Sequence, residues 1–399
     1  MAKYITRPVL ILSLVSLLTD VSSEMLYPIM PLYLKKIGFS ILLIGILEGF
    51  AEAVAGISKG YFGNLSDNSG KRLPFVQWGY FLSSLSKPML ALFTFPVWIF
   101  SARTLDRLGK GLRTGARDAM LSDLSSPENK ARVFGFHRGM DTLGAALGPL
   151  LALVYLQIHP ENYRTLFLLA FIPGLLGVAC TFLLKEAKAT PKLKKGTSFF
   201  AAFKYWPRAS ADYKKLTAGL LVFALFNSSD VFLLLQLKQK GFTDTEVITV
   251  YIFYNLVYAA LSFPVGILAD KIGLKKTVVA GLAIFTLVYA GMALNQTLGG
   301  FYVLFFMYGL YAASTEGIAK AWISNISPPQ QTATAIGTFA GFNSLAILMA
   351  STVAGAIWQS AGASAMFLTT AAITLGTAIY LGVTRIATAF PAPAPLPRN

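Results

Sequence analysis

The sequence predicts an all-α integral membrane protein, with twelve transmembrane helices in two six-helix halves related by pseudo-two-fold symmetry. Three observations carry that prediction. Hydrophobic residues make up 55% of the chain and charged residues 13%, whereas a soluble domain averages about a quarter charged. Apolar stretches of about twenty residues, enough to cross a bilayer, recur from one end to the other. One loop also occurs twice. Gly63-Asn-Leu-Ser-Asp67-Asn-Ser-Gly70-Lys71-Arg72 is matched about two hundred residues on by Gly266-Ile-Leu-Ala-Asp270-Lys-Ile-Gly273-Leu-Lys275-Lys276, each copy where an apolar run ends. The loops Gly38-Phe39-Ser40 and Gly241-Phe242-Thr243 keep the same offset. The unit therefore repeats in one orientation, which places two parallel halves about an axis along the membrane normal.

The hydrophobic runs place helices near 8–35, 40–64, 72–94, 96–117, 130–156, 163–185, 214–237, 245–270, 276–296, 299–322, 332–358 and 362–384. The first is a span and not a cleaved leader. It carries Asp20 and Glu24, is too long for a signal core, and has no small-residue cleavage site after it. The chain divides into a first half, 1–185, a linker, 186–213, a second half, 214–385, and a tail, 386–399. Phe199, Phe200, Phe203, Tyr205 and Trp206 lie among the linker's lysines, a pattern open to an interfacial helix or a plain tether. The tail, Pro391-Ala-Pro-Ala-Pro-Leu-Pro397, is expected to be disordered.

The formal charge is +16, but its distribution argues against nucleic acid. Basic residues crowd the linker and alternate loops, while the opposite side has little beyond Lys35, Lys36, Arg164, Lys238 and Lys240. This is the positive-inside bias of a cell-membrane protein facing lipid headgroups, with both termini cytoplasmic. Cys180 is the only cysteine, and His137 and His159 are the only histidines. An intramolecular disulfide is excluded, and no cysteine- or histidine-built metal centre is expected.

Twelve helices, a central loop and the doubled Gly…Asp…Gly…Lys/Arg loop resemble the major facilitator superfamily across essentially the whole chain. The resemblance implies two helical domains rocking about a central cavity. It makes Gly63, Asp67, Gly70, Lys71, Arg72 and Asp270 a conformational latch, with Asp67 near a helix end and paired to a basic group across the interface. Predicted helix four carries Arg103, Asp106, Arg107 and Lys110 at intervals of three or four, hence on one face. Arg107 with Gly111 resembles the helix-four arginine motif of proton-coupled antiporters. Gly135, Gly144, Gly148 and Pro149 in helix five match much of the motif of drug exporters. Small residues there permit close helix approach, and Pro149 permits a bend.

Charged groups inside a membrane are costly and usually face a cavity or a partner. Asp20 with Glu24, and Glu48 with Glu52, are spaced four apart in helices one and two. A carboxylate alternating between an arginine and water can load and release a proton, so these four, with Arg103, Asp106 and Arg107, form the expected proton-coupling set. Asp20 is first choice, being deepest by the predicted boundaries. Lys87 is a candidate partner for Glu48 or Glu52. Arg138 and Asp141 can close the same network, and His137 is assigned a helix-end hydrogen bond. The expected substrate wall combines Arg107, Lys110, Arg138 and Asp141 with Asn227, Asp230, Tyr251, Asn255, Tyr311 and Glu316. Such aromatic and amide groups suit an organic ligand of mixed polarity.

These residues point to a secondary active transporter, a proton-coupled antiporter exporting small organic molecules as a monomer. One rival keeps the fold and moves a divalent metal ion on the carboxylates, although the neighbouring cations weigh against it. A rival of another class is a non-transporting receptor or scaffold, whose soluble signalling domain has no counterpart here. No Walker-type loop or nucleophile triad is present, so no enzyme activity and no cofactor is expected.

Overall fold

The structure is a computed structural model that describes residues 5–27, 29–39, 41–186 and 201–388. The linker lysines up to residue 200 and the tail from residue 389 lie outside the described residues. The described chain is helical throughout. In the first half, α1 (Arg7–Glu24) and α2 (Met30–Lys36) form one interrupted span, followed by α3 (Ile41–Ser69), α4 (Leu73–Leu92), α5 (Pro96–Asp123), α6 (Lys130–Ile158) and α7 (Tyr163–Thr181). The short α8 (Ala201–Arg208) precedes the second half. There α9 (Ala211–Ala224) and α10 (Val231–Gln239) again form an interrupted span, followed by α11 (Asp244–Ile272), α12 (Leu274–Leu294), α13 (Leu298–Asn325), α14 (Thr332–Ala361) and α15 (Ala363–Val383).

The ends follow local chemistry. Prolines open α1, α4 and α5, where their missing N–H costs nothing. Ser210, Thr243 and Thr297 cap α9, α11 and α13, and Thr243 completes a capping box with Glu246. Gly70 and Gly273 turn equivalent corners at φ 64° and 101°, and Gly38 and Gly241 do so at 92° and 90°. Only glycine adopts such angles without strain, so the repeat seen in sequence is a repeat of backbone geometry.

The breaks in the first and seventh spans were not expected. They fall at equivalent places in the two halves. In the second half, Asn227, Ser228, Ser229 and Asp230 occupy the break, and such side chains compete with the helix for backbone partners. Seven of the described helices are long and apolar enough to cross a membrane alone, α6, α7, α12, α13 and α15 among them. The interrupted spans and the charged α5 depend on their neighbours. Leu10, Phe81, Leu175, Leu287, Val303 and Leu375 are exposed around the bundle, as a lipid-facing surface requires. The halves meet where α3 packs on α14 and α6 packs on α11, and α8 lies against both α3 and α14. Tyr205 and Trp206 of α8 stack edge-on against Tyr213, at 5.3 and 6.2 Å, so this linker segment is a docked helix.

Candidate functional site

The halves are tied at the end that carries the two repeated loops. Oδ2 of Asp67, at the end of α3, accepts from the Thr334 backbone N–H (2.6 Å) and hydroxyl (2.5 Å) at the start of α14. The basic partner of Asp67 is Arg72 of its own half, which also reaches Asp123 at 3.5 Å. The expected cross-interface ion pair is therefore a carboxylate on a helix N-terminus, which supplies free N–H groups and positive potential. Asp270 mirrors this arrangement. It accepts from the N–H groups of Ala131 (3.0 Å) and Arg132 (3.2 Å) at the start of α6, and from Arg132 Nε at 2.6 Å. Here the basic partner does cross between halves. Glycines permit the approach. A Cβ on Gly63 would lie 2.5 Å from the Ala333 carbonyl oxygen, and one on Gly266 would lie 2.6 Å from that of Ala131.

Deeper in the interface lies a charged layer. Arg138 of α6 pairs with Asp141 at 2.7 Å, pairs across the interface with Glu316 of α13, and donates to the Tyr258 hydroxyl of α11 at 2.6 Å. Asp118 of α5 binds Arg117 at 2.9 Å and, across the interface, Lys320 at 2.8 Å. Lys59 donates to Ser344 at 2.7 Å. His137 is buried among Arg117, Asp118, Asp141 and Lys320. Neither ring nitrogen has a hydrogen-bond partner among the described residues, which corrects the helix-end role expected for it.

The interior carboxylates lie next to this layer. Asp141 accepts from Ser16 at 2.5 Å and is in side-chain hydrogen-bond contact with Asp20. Two carboxyl groups can bond in this way only by sharing a proton. Glu24 stands beside Lys110 and Arg107. Asp20 and Glu24 are half-buried and Lys110 is exposed, as in side chains that line a cavity.

On α5, Asp106 is bound by Lys87 of α4 at 2.7 Å, with Arg103 of α5 at 4.0 Å and Arg107 in electrostatic range, while Lys110 and Arg107 stand in range of Glu24 of α1. Lys87 is thus the partner of Asp106. Glu48 and Glu52 lie on α3 with side chains outside the described residues. In α6, a Cβ on Gly144 would lie 2.5 Å from the Leu17 carbonyl oxygen, and one on Gly148 would lie 2.8 Å from Val21 O. These two glycines seat α1, whereas Gly135 faces Ser262 across the interface.

The second half presents rings. Asp230 accepts from the Tyr308 hydroxyl at 2.7 Å, and Asn227 donates to the Tyr311 hydroxyl at 3.3 Å. Tyr254 lies 4.9 Å from Tyr308, which lies 5.3 Å from Tyr311. Tyr251 is half-buried, and Asn255 spends its amide on the Tyr251 carbonyl at 3.0 Å. Glu316 is committed to Arg138. Sequence reasoning missed Ser16, Lys59 and Thr334 as partners. Only the lone lysine in the apolar α3 was a readable signal. No group of three or more His, Cys, Asp or Glu side chains suited to a metal occurs among the described residues.

Two interrupted-span halves joined by reciprocal caps around a charged interior define a polytopic transporter. The family model of the Major Facilitator Superfamily matches residues 12–253 and 216–399. The chain belongs to that superfamily. It is 34% identical over 361 residues to an uncharacterised MFS-type transporter of Methanocaldococcus jannaschii, covering 89% of each chain. The multidrug resistance protein MdtH of Photorhabdus laumondii is 22% identical over 321 residues, covering 79% of this chain and 77% of its own. Among solved structures, the human organic anion transporter MFSD10 superposes with a TM-score of 0.83 at 18% identity, covering 94% of this chain and 99% of its own. The E. coli fucose:proton symporter FucP superposes at 0.75 and 13% identity, covering 96% and 100%.

Proposed function

We propose that this transporter is a proton-coupled antiporter that exports small organic molecules by alternating access. The carrying observation is the Asp20–Asp141 carboxyl pair, because Asp141 also holds Arg138, which binds Glu316 and Tyr258 in the opposite half. A proton arriving on the pair weakens the hold of Asp141 on Arg138, and its departure restores that hold. Proton occupancy is thereby linked to the contact between halves, which is what coupling to rocking requires. The Asp67 and Asp270 caps then act as latches of the state closed at the basic end. In this reading that end is cytoplasmic, as the positive-inside bias supports, the bilayer is the cell membrane, and the protein works as a monomer. Export is supported by the helix-five glycines and by likeness to a protein named for multidrug resistance.

The test is uptake and counterflow in proteoliposomes against a compound panel, with and without an imposed pH gradient. Asp20→Asn keeps the shape of the pair and removes a titratable proton. Gradient-driven transport is expected to fall about tenfold or more, as for loss of a charge-assisted contact, while exchange at equal pH persists. Wild-type rates of gradient-driven transport in both Asp20→Asn and Glu24→Gln would remove the helix-one carboxylates as the coupling site.

A further inference from the structure

His137 is buried and titratable but has no part in the Asp20–Asp141 carboxyl pair. It lies on α6 four residues before Asp141, on the same face and about 6 Å nearer the basic end. Arg117 and Asp118 of α5 and Lys320 of α13 face it, and Asp141 faces it along its own helix. From α1 comes Ser16, which bonds both Asp141 and Arg117, and α11 turns Tyr258 to Arg138. Each charged group facing the ring is held in an ion pair: Arg117 and Lys320 on Asp118, and Asp141 on Arg138. Both nitrogens of the imidazole are unbonded among the described residues. A ring with neither nitrogen committed does little to brace a helix. It is suited to passing a proton, because an imidazole takes one on one nitrogen and gives one up from the other.

Part of its cover comes from the opposite half. Gly317 of α13 packs so closely on α6 that a Cβ there would lie 3.3 Å from the Phe134 carbonyl oxygen and 3.5 Å from the Gly135 nitrogen, in the turn before His137. Glu316 holds Arg138, the next residue, and Lys320 holds Asp118. With α13 in place the ring is only 4% exposed. Parting of the halves at the basic end carries α13 away from α5 and α6, and Lys320 goes with it. That movement uncovers the ring on the basic side, leaves Asp141 behind it, and removes one positive charge from beside it.

We propose that His137 is the exit relay of the coupling proton: once the basic end opens, a proton passes from a carboxyl oxygen of the Asp20–Asp141 pair to one ring nitrogen, and the other nitrogen releases one to the water entering there. Only O–H and N–H bonds change, and the ring resets by exchanging its remaining proton between nitrogens through that water. While α13 covers the ring this route is shut, so a proton loaded on the pair waits for the halves to move. The relay rests on the carboxyl pair as the coupling site, and the two fail separately.

The test uses proteoliposomes of the full-length protein and the panel compound that the wild type moves fastest under a pH gradient, with pyranine inside to read proton arrival. His137→Ala is expected to slow gradient-driven transport and proton arrival about tenfold or more, the scale of losing a positioned proton-transfer group, while exchange at equal pH persists. Imidazole in the buffer should restore part of the lost rate, and pyrazole, alike in shape but hardly basic, should not. His137→Gln, the second variant should alanine fail to fold, is expected to be as slow and to flatten the wild type's dependence on pH near neutrality. Asp20→Asn should stay slow with imidazole present, since there the pair and not the relay is lost. A loss in His137→Ala that imidazole leaves unchanged, an equal fall in exchange at equal pH, or a wild-type pH profile in His137→Gln would overturn the inference. A slow Asp20→Asn beside a fast His137→Gln removes the relay alone. Wild-type rates in both Asp20→Asn and Glu24→Gln bring down the coupling pair, and the relay with it.

Discussion

In the first half, the membrane interior holds Asp20, Glu24, Lys87, Asp106, Arg107 and Asp141 in mutual contact or neighbouring range. In the second half, the same depth holds Tyr254, Phe285, Tyr289, Tyr308 and Tyr311 packed ring on ring, with Asp230 at their edge. The backbone plans match down to the interrupted first spans and the paired glycine turns. Carried over by the spacing of the repeated loops, Lys87 and Asp106 fall on Ala290 and Gly309. A Cβ on Gly309 would lie 2.8 Å from the Val257 side chain of α11, so Gly309 packs on the second span of its half, whereas Asp106 pairs with the third. With uncharged residues at both carried-over positions, the second half has no counterpart of the Lys87–Asp106 ion pair.

The largest expected effect tests that contrast directly. Lys87→Met strands a buried Asp106 and should cost about 3–5 kcal/mol. Adding Asp106→Leu should recover most of it, because it removes the stranded charge and the second half carries uncharged residues at both positions. Melting in detergent measures both, and a double variant no more stable than the single would show that the halves cannot trade chemistries at this position.

Next come the two caps, which are alike in their helix-end donors but not in their arginine. Asp270→Asn loses the Arg132 pair across the interface, whereas Asp67→Asn loses a pair inside its own half and leaves Arg72 with Asp123. Each should weaken the state closed at the basic end by about 1.5–3 kcal/mol, with Asp270→Asn the larger. Cysteine-accessibility labelling in a Cys180→Ala background reports this as increased opening. Equal opening would mean that the helix-end bonds alone set the latch strength.

Gly63→Ala and Gly266→Ala probe what the two crossings share. Each adds a methyl against a facing carbonyl, and each should disfavour closure by about 1–3 kcal/mol. Similar openings in the same labelling assay are expected, and a silent member of the pair would break the symmetry. The smallest effect is expected outside the bilayer. Lys36 holds the exposed Glu161 carboxyl below its usual range through a 2.8 Å contact. A depressed carboxyl contributes above its unfolded pKa and loses that contribution as pH falls through the folded value. The pair is solvated, so Glu161→Gln should leave the neutral-pH melting temperature unchanged.

Local chemistry was readable in the sequence, but pairing across helices was not. Gly70 and Gly273, Asp67 and Asp270, and the spans ended by capping residues are signals carried within a few neighbouring residues. Asp141 as the neighbour of Asp20, Lys87 as the partner of Asp106, and Thr334 as the donor to Asp67 depend on how separate helices are rotated about their axes. Spacing of three or four places residues on a broad arc, which does not say that Lys87 takes Asp106 or that Glu24 stands beside Lys110 and Arg107. The breaks at the first and seventh spans were hidden for different reasons: the first begins in the apolar Met25 and Leu26, while the polar stretch Asn227, Ser228, Ser229 and Asp230 is short enough to sit inside a single predicted span.

The reciprocal caps also impose an order on assembly. Asp270 is synthesised after its donors, Ala131 and Arg132, and can find them as α11 inserts. Asp67 is made early, while Thr334 arrives only with the eleventh span. Until then its carboxylate has Arg72 as its partner and lacks the helix end that receives it in the finished protein. The first cap encoded is therefore the last to be completed, and a nascent chain stopped before α14 carries an acidic corner that marks it as unfinished.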